Sequence, residues 1–173
     1  MTQTRIIVHA QSDRATTGLL ICGSLRMRCA LGRSGKRWRK REGDGASPIG
    51  IWSLRQAYYR ADRMIRPKTS LALSAIKRNA GWCDAPSDRN YNAKVTHPYS
   101  ASAERLWRDD GLYDLIIVLG YNDAPRVKGF GSAIFLHLAR AGYTPTEGCI
   151  AVSKRDLIQL LAITSQTTKL MMT

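Results

Sequence analysis

"SAIFLHLARAGYTPTEGCIAV", residues 132–152, decides the fold, because two short apolar runs flank a loop rich in Gly, Pro and Thr. Over an expected strand at 132–140, Ala133, Phe135 and His137 share one face, and Ile134, Leu136 and Leu138 share the other. The second run, 149–152, puts Ile150 and Val152 together, which leaves Cys149 and Ala151 on the opposite face. His137 therefore projects from a central strand, with Cys149 at the head of a short strand that follows.

Outward from this stretch, strands dominate. "YDLIIVLGYN" (113–122) is a continuous apolar run with β-branched residues, which predicts a strand buried on both faces. "SKRDLIQLLAITS" (153–165) sets Ser153 and Asp156 at capping-box spacing ahead of apolar positions at Leu157, Leu160, Leu161 and Thr164, which predicts a helix. Near the N-terminus, "TRIIVHA" (4–10) reads as a strand and 18–32 as a hairpin turning at Gly23-Ser24. Turn chemistry in "REGDGASPIG" (41–50) precedes a further strand at 51–57, so the opening third reads as a β-meander. Residues 76–107 are rich in Gly, Pro, Asn, Asp and Ser without a period, and such a long irregular segment in a compact domain points to function. "SAERLWRDDG" (102–111) reads as a short helix with Ser102 as N-cap. The expectation is one mainly β domain over 1–173, with one or two peripheral helices.

Composition bounds the partners. The chain has 173 residues, enough for one domain with a real core. Its longest clean apolar run is "LIIVL" (115–119), far short of the roughly 20 residues a spanning helix needs. The N-terminus lacks the features of a secretory signal, which leaves the cytoplasm open as a compartment. Lys and Arg number 27 against 13 acids, a formal charge of +14, so an anionic partner is expected: nucleic acid, an anionic lipid surface or an acidic polymer. The run 26–41 alone carries eight of those cations, no acid and Trp38. It reads as a solvated basic face suited to an anionic polymer, with no recognised nucleic-acid motif beside it.

An ordinary cysteine is mostly thiol at neutral pH, and a neighbouring imidazole is the usual activator. Adjacent strands would bring His137 and Cys149 within hydrogen-bond reach. Gly148 would let the chain turn before the nucleophile, with the amides of Gly148 and Cys149 aimed at a developing oxyanion. Spacing alone leaves a second reading open, a buried thiol beside a satisfied histidine. Cys22, Cys29 and Cys83 read as packing residues, a Cys22–Cys29 bridge is not indicated, and "SAIK" (74–77) matches Ser-x-x-Lys without its companion motifs. His9, His97 and His137 share no metal-ligand spacing, so no metal is expected.

"TEGC" (146–149) behind a strand histidine resembles the Ser/Thr-x-Gly-Cys block of the YkuD-type L,D-transpeptidase catalytic domain. "KREGDGASPIG" (40–50), "WCDAPSDRNYN" (82–92) and "YNDAPRVKGFGSAIFLH" (121–137) resemble one branch of that family, in the same order. The resemblance implies a single β-sandwich or barrel domain and a cysteine acyltransferase without cofactor or metal. Its substrate would be peptidoglycan stem peptides, met as a monomer in the periplasm or cell envelope. It implies Cys149 as nucleophile, His137 as base, and Gly148 and Thr146 as the turn before the nucleophile. Many members have His where Glu147 stands and Arg where Ala151 stands, so Arg126 is the candidate replacement for the missing cation. Trp82 and Tyr91 are candidate walls of the substrate cleft and Asp84 and Asn92 its polar anchors, with Tyr121, Thr146 and Glu147 as further contacts. Cross-linking by an acceptor amine, trimming by water in muropeptide recycling, and a basic non-catalytic module binding nucleic acid or glycan are the three functions to separate.

Overall fold

A computed structural model of the chain describes residues 5–173, so Thr4, the first residue of the expected opening strand, lies outside the described residues. Strand β1 (Arg5–His9) runs antiparallel to β2 (Thr17–Cys22), which turns at Gly23-Ser24 into β3 (Leu25–Ala30). Two-residue segments β4 (Lys36–Arg37) and β5 (Ser47–Pro48) pair with each other, and then comes the ten-residue β6 (Gly50–Tyr59). The meander breaks here: β6 pairs not with β3 but with β14 (Lys169–Met172), the C-terminal strand, which lies parallel to β1. The partner that redirects β6 is a short terminal segment that carries no turn signal of its own.

β7 (Leu73–Ala75) adds to β6, and β11 (Leu115–Leu119) pairs on its other edge. Beyond β11 come β12 (Phe135–Leu138) and β13 (Ile150–Val152), and β13 returns to β3. The ring β6-β11-β12-β13-β3-β2-β1-β14 therefore closes on itself as a barrel, which leaves those strands without a free edge. Alternation fills its interior: Ile6, Val8, Leu20, Met27, Leu136 and Ile150 belong to one buried cluster, which also takes Leu157, Leu160 and Leu161 of helix α1 (Lys154–Ile163). Ser153 caps α1 by accepting the amide hydrogen of Asp156 at 3.1 Å. No helix among the described residues is long and apolar enough to cross a membrane.

The irregular middle carries three short strands between its turns. β8 (Ala80–Cys83), β9 (Lys94–Thr96) and β10 (Ala103–Arg105) form a second, three-stranded sheet in the order β10-β8-β9. The expected helix at 102–111 is thus corrected: its first residues pair with β8, Ala103 opposite Cys83 and Glu104 opposite Trp82. Cross-strand pairing overrides the capping signal of Ser102. A second buried cluster fills the space between the two sheets, built from Ile116 and Val118 of β11, Phe135 of β12, Leu106, Tyr113 and Cys149. β11 is accordingly buried along its whole length, its odd residues facing the barrel interior and its even ones this outer layer.

Candidate active site

Cys149 and His137 belong to neighbouring parallel segments. β12 and β13 pair with His137 opposite Ala151, so Cys149, two residues before Ala151, falls on the same face. The expected strand at 132–140 is shorter than alternation implied, because Ala133 has a positive φ of 53° and the strand begins only at Phe135. That kink has a consequence for the thiol. Cys149 Sγ donates to the Ala133 carbonyl at 3.2 Å and accepts the Phe135 amide hydrogen at 3.3 Å.

The His137 ring stands edge-on to Tyr113, with centroids 5.3 Å apart. Its Nδ1 lies 2.9 Å from the Leu138 carbonyl, an acceptor only, so Nδ1 carries the proton and Nε2 keeps its lone pair. The hydrogen bond expected between thiol and imidazole is not made, since backbone groups hold both side chains. Burial pushes the Cys149 thiol up to about 12, with the Glu104 charge adding to it. Burial likewise brings His137 down to about 4, against the pull of the Leu138 carbonyl. The resting pair is a neutral thiol and a neutral imidazole.

The turn before the nucleophile needs its glycine. Gly148 has φ 130°, and a Cβ there would stand 2.8 Å from the Ala46 carbonyl oxygen. Thr146 Oγ1 accepts the Gly148 amide hydrogen at 3.1 Å and donates to the Cys149 carbonyl at 2.6 Å. The Gly148 amide is therefore engaged inside the turn, which corrects the expectation that it faces an oxyanion.

A cavity of about 550 Å³ opens over this pair. His137, Cys149, Thr146 and Glu147 line one side, and Asp84 and Glu104, which share a face of the small sheet, line another. Tyr113 Oη donates to Glu104 at 2.7 Å, and burial raises the Glu104 carboxyl, against that hydrogen bond. Asp84 Oδ1 and Ser132 Oγ are buried with no hydrogen-bond partner among the described residues. Cations complete the lining: Arg108 and Arg140, both paired to Asp110, and Lys40, whose Nζ donates to Asp44 at 2.5 Å and the Ala46 carbonyl at 2.7 Å. Burial works against the Asp44 carboxylate, yet Lys40 and the amides of Ala46 and Arg41 hold it below the usual range.

Of the residues expected from sequence, Cys149, His137, Asp84, Thr146 and Glu147 meet at this cavity. Glu147 points outward and pairs with Arg33 at 2.7 Å. Trp82, Tyr91, Asn92 and Tyr121 do not reach the cavity and instead build the wall behind it. Trp82 packs edge-on against Phe135 and donates to Asn92 at 3.0 Å. Asn92 also accepts from the Ala133 amide and donates to the carbonyls of Tyr121 and Asn122. Tyr91 bonds Glu42 and the Gly131 amide, and Tyr121 bonds the Phe130 carbonyl. Their hydrogen-bond donors are spent within the fold and not at this cavity, and Trp82 and Asn92 line the second cavity instead. Arg126 is exposed and lines a separate cavity of about 180 Å³ with Arg55 and Asp123, so it does not replace a cation beside Cys149.

Sequence reasoning missed Lys40, Glu104, Arg108, Tyr113, Ser132 and Arg140. Lys40 opens the 40–50 block and was counted only among the surface cations, whereas it is 3% exposed. In the rest of that run Arg26, Arg28, Arg33, Arg37, Arg39 and Arg41 are exposed, and Trp38 is 76% exposed. All four cysteines are free thiols, so Cys22 and Cys29 form no bridge. No group of three or more His, Cys, Asp or Glu side chains is placed to hold a metal among the described residues.

The YkuD family model, the L,D-transpeptidase catalytic domain, matches residues 4–171. No curated protein matches the chain. Among solved structures the chain is similar to Mycobacterium tuberculosis L,D-transpeptidase 1, at a TM-score of 0.41 and 11% identity, over 98% of this chain and 62% of that one. The chain thus spans less than two thirds of the length of that structure.

Proposed function

Since the chain belongs to the YkuD family of L,D-transpeptidase catalytic domains, we propose that it is a cysteine acyltransferase that cross-links peptidoglycan stem peptides in the cell envelope. The observation that carries the reading is the meeting of Cys149 and His137 at one cavity, from neighbouring segments, with Nδ1 of the imidazole fixed and Nε2 left as base. A stem peptide laid in the cavity brings the carbonyl of its L-to-D bond to Sγ. As the S–C bond forms, the thiol proton passes to His137 and the carbonyl electron pair moves onto oxygen. Collapse of the tetrahedral species returns that proton to the leaving amine and leaves a thioester on Cys149.

A neutral acceptor amine then attacks the thioester and gives a proton to His137; as the C–N peptide bond forms the C–S bond breaks, and the proton passes from His137 to the departing sulfur, which restores the Cys149 thiol. Asp84 and Glu104 suit this step, because an acidic flank binds the ammonium form of the acceptor and takes its extra proton before the neutral amine attacks, while Arg108 and Arg140 suit carboxylates of the stem. Burial of both reacting groups favours a proton transfer made only when substrate displaces water. Exposed Arg37, Arg39 and Arg41 around Trp38 support contact with an anionic wall polymer.

Incubation with purified disaccharide tetrapeptides and mass spectrometry, beside a Cys149→Ala control, tests the reading. Dimers lacking one terminal residue support it. Tripeptide monomers without dimers replace it with carboxypeptidation, and no product from any stem peptide ends it.

A further inference from the structure

Lys40 is the most deeply buried cation of the basic run, and its surroundings are arranged around it. Its stem passes Gly131, where a Cβ would come within 2.9 Å of Lys40 Cε, and its ammonium reaches Gly148, where a Cβ would lie 3.4 Å from Nζ. Gly131 therefore leaves room for the stem of this side chain, and its charged end stands in contact distance of the peptide that precedes the nucleophile. Two of its three hydrogens go to Asp44 Oδ1 and the Ala46 carbonyl, and among the described residues the third has no protein acceptor.

A purely structural role accounts poorly for the charge. Asp44 already closes its own turn by accepting the amide hydrogens of Arg41 and Ala46, both at 2.9 Å. Burying a cation is costly, and a turn so closed does not require one. Acyl transfer does require positive charge where the carbonyl oxygen becomes an oxyanion, and one of the amides expected to supply it, that of Gly148, is held by Thr146.

We propose that Lys40 is a catalytic residue, the cation that stabilises the oxyanion formed when Cys149 attacks a carbonyl. This rests on the reading of Cys149 as an acylated nucleophile. In the step, the S–C bond forms, the thiol proton goes to His137, and the displaced carbonyl pair on oxygen is held by the free N–H of Lys40. Collapse of the oxyanion re-forms the C=O bond and expels the leaving group.

The test compares two reactions of the same sulfur. p-Nitrophenyl acetate acylates Cys149 through an oxyanion and expels p-nitrophenolate; iodoacetamide alkylates it by displacement of iodide, with no oxyanion. Lys40→Met is expected to slow the acylation burst about 100-fold. Its loss slows alkylation by no more than about tenfold, through the thiolate fraction alone. Lys40→Gln, which keeps a donor without the charge, serves if the Met variant does not fold and is expected to fall between. Parallel loss of both reactions, an unchanged burst in the variants, or a wild-type protein that takes no acetyl group on Cys149 overturns the proposal. Neither reagent is a stem peptide, so a selective loss of acylation upholds Lys40 even where muropeptides are not processed, and that second result counts against the substrate alone.

Discussion

The Cys149 thiol donates to the carbonyl of Ala133 at 3.2 Å, and Ala133 in turn gives its amide hydrogen to Asn92 at 3.1 Å. The nucleophile is thereby placed by a side chain that never reaches the cavity. Asn92 uses all of its polar capacity in this task, joining Trp82, Tyr121, Asn122 and Ala133, and its own φ of 54° is one that asparagine tolerates better than most.

Asn92→Ala strips partners from two part-buried donors and two carbonyls, and it puts alanine at a positive φ. The expected loss is about 3 kcal/mol in urea unfolding. Where the variant remains folded, acylation of Cys149 slows as well, because the Ala133 carbonyl no longer fixes the thiol. An Asn92→Ala protein with unchanged unfolding midpoint and unchanged acylation contradicts this positioning role.

The pH profile follows from two neutral groups. His137 must be unprotonated to act as base, and with its value brought down to about 4, the acid limb of kcat/KM lies near there and not near 6.5. Cys149, held up at about 12, gives no alkylation plateau at or below mildly alkaline pH, so the iodoacetamide rate keeps climbing past the range where an ordinary cysteine levels off. An early plateau signals a thiolate–imidazolium pair and refutes the neutral resting state.

How much of this was legible in the sequence depends on the range of the interaction. The faces of His137 and Cys149 follow from alternation, which is local, and the Gly148 turn and the α1 cap at Ser153 follow from short-range chemistry. The pairing of β6 with β14 joins segments distant in the chain, and "KLMM" has no pattern that announces it. Ser102 supplies a good cap signal, but β10 is decided by its partner β8. From sequence, Tyr91 reads as a wall of the substrate cleft and Asn92 as one of its polar anchors. Only the hydrogen bonds show that they serve the wall behind the cavity and that Lys40 and Glu104 serve the cavity.

Arg126 illustrates the same limit and carries a prediction of its own. Since it lies on a separate cavity beside Arg55 and Asp123, Arg126→Ala is expected to leave kcat/KM on stem peptides within about twofold of wild type, as for an ordinary surface change. A large rise in KM for the donor peptide restores it as a substrate contact.

Acid stability reports on His137 independently of catalysis. The unfolded chain binds a proton near 6.5 and the folded one only near 4, so the stability contributed by the neutral ring is complete above the first value. It is lost as pH falls through the second, by about 3 kcal/mol in full. Urea unfolding across that window gives a slope that flattens in His137→Gln. An equal slope in both proteins assigns the acid loss to other groups.

Glu104 sets the last prediction, and its sign is opposite to that for Lys40. Its carboxylate accepts from Tyr113 at 2.7 Å and stands close enough to Cys149 for its charge to raise the thiol further. Glu104→Gln keeps an acceptor for Tyr113 and removes the negative charge, so the thiolate becomes easier to form and alkylation by iodoacetamide speeds up at fixed pH, by several-fold. Acceptor use moves the other way if the carboxylate also receives the ammonium form of the amine: the thioester then partitions toward water, and tripeptide grows at the expense of dimer. Faster alkylation with an unchanged product ratio confines Glu104 to tuning the thiol. Slower alkylation removes it from the electrostatics of Cys149 altogether, because loss of a neighbouring negative charge can only ease the ionisation of a thiol whose surroundings are otherwise intact.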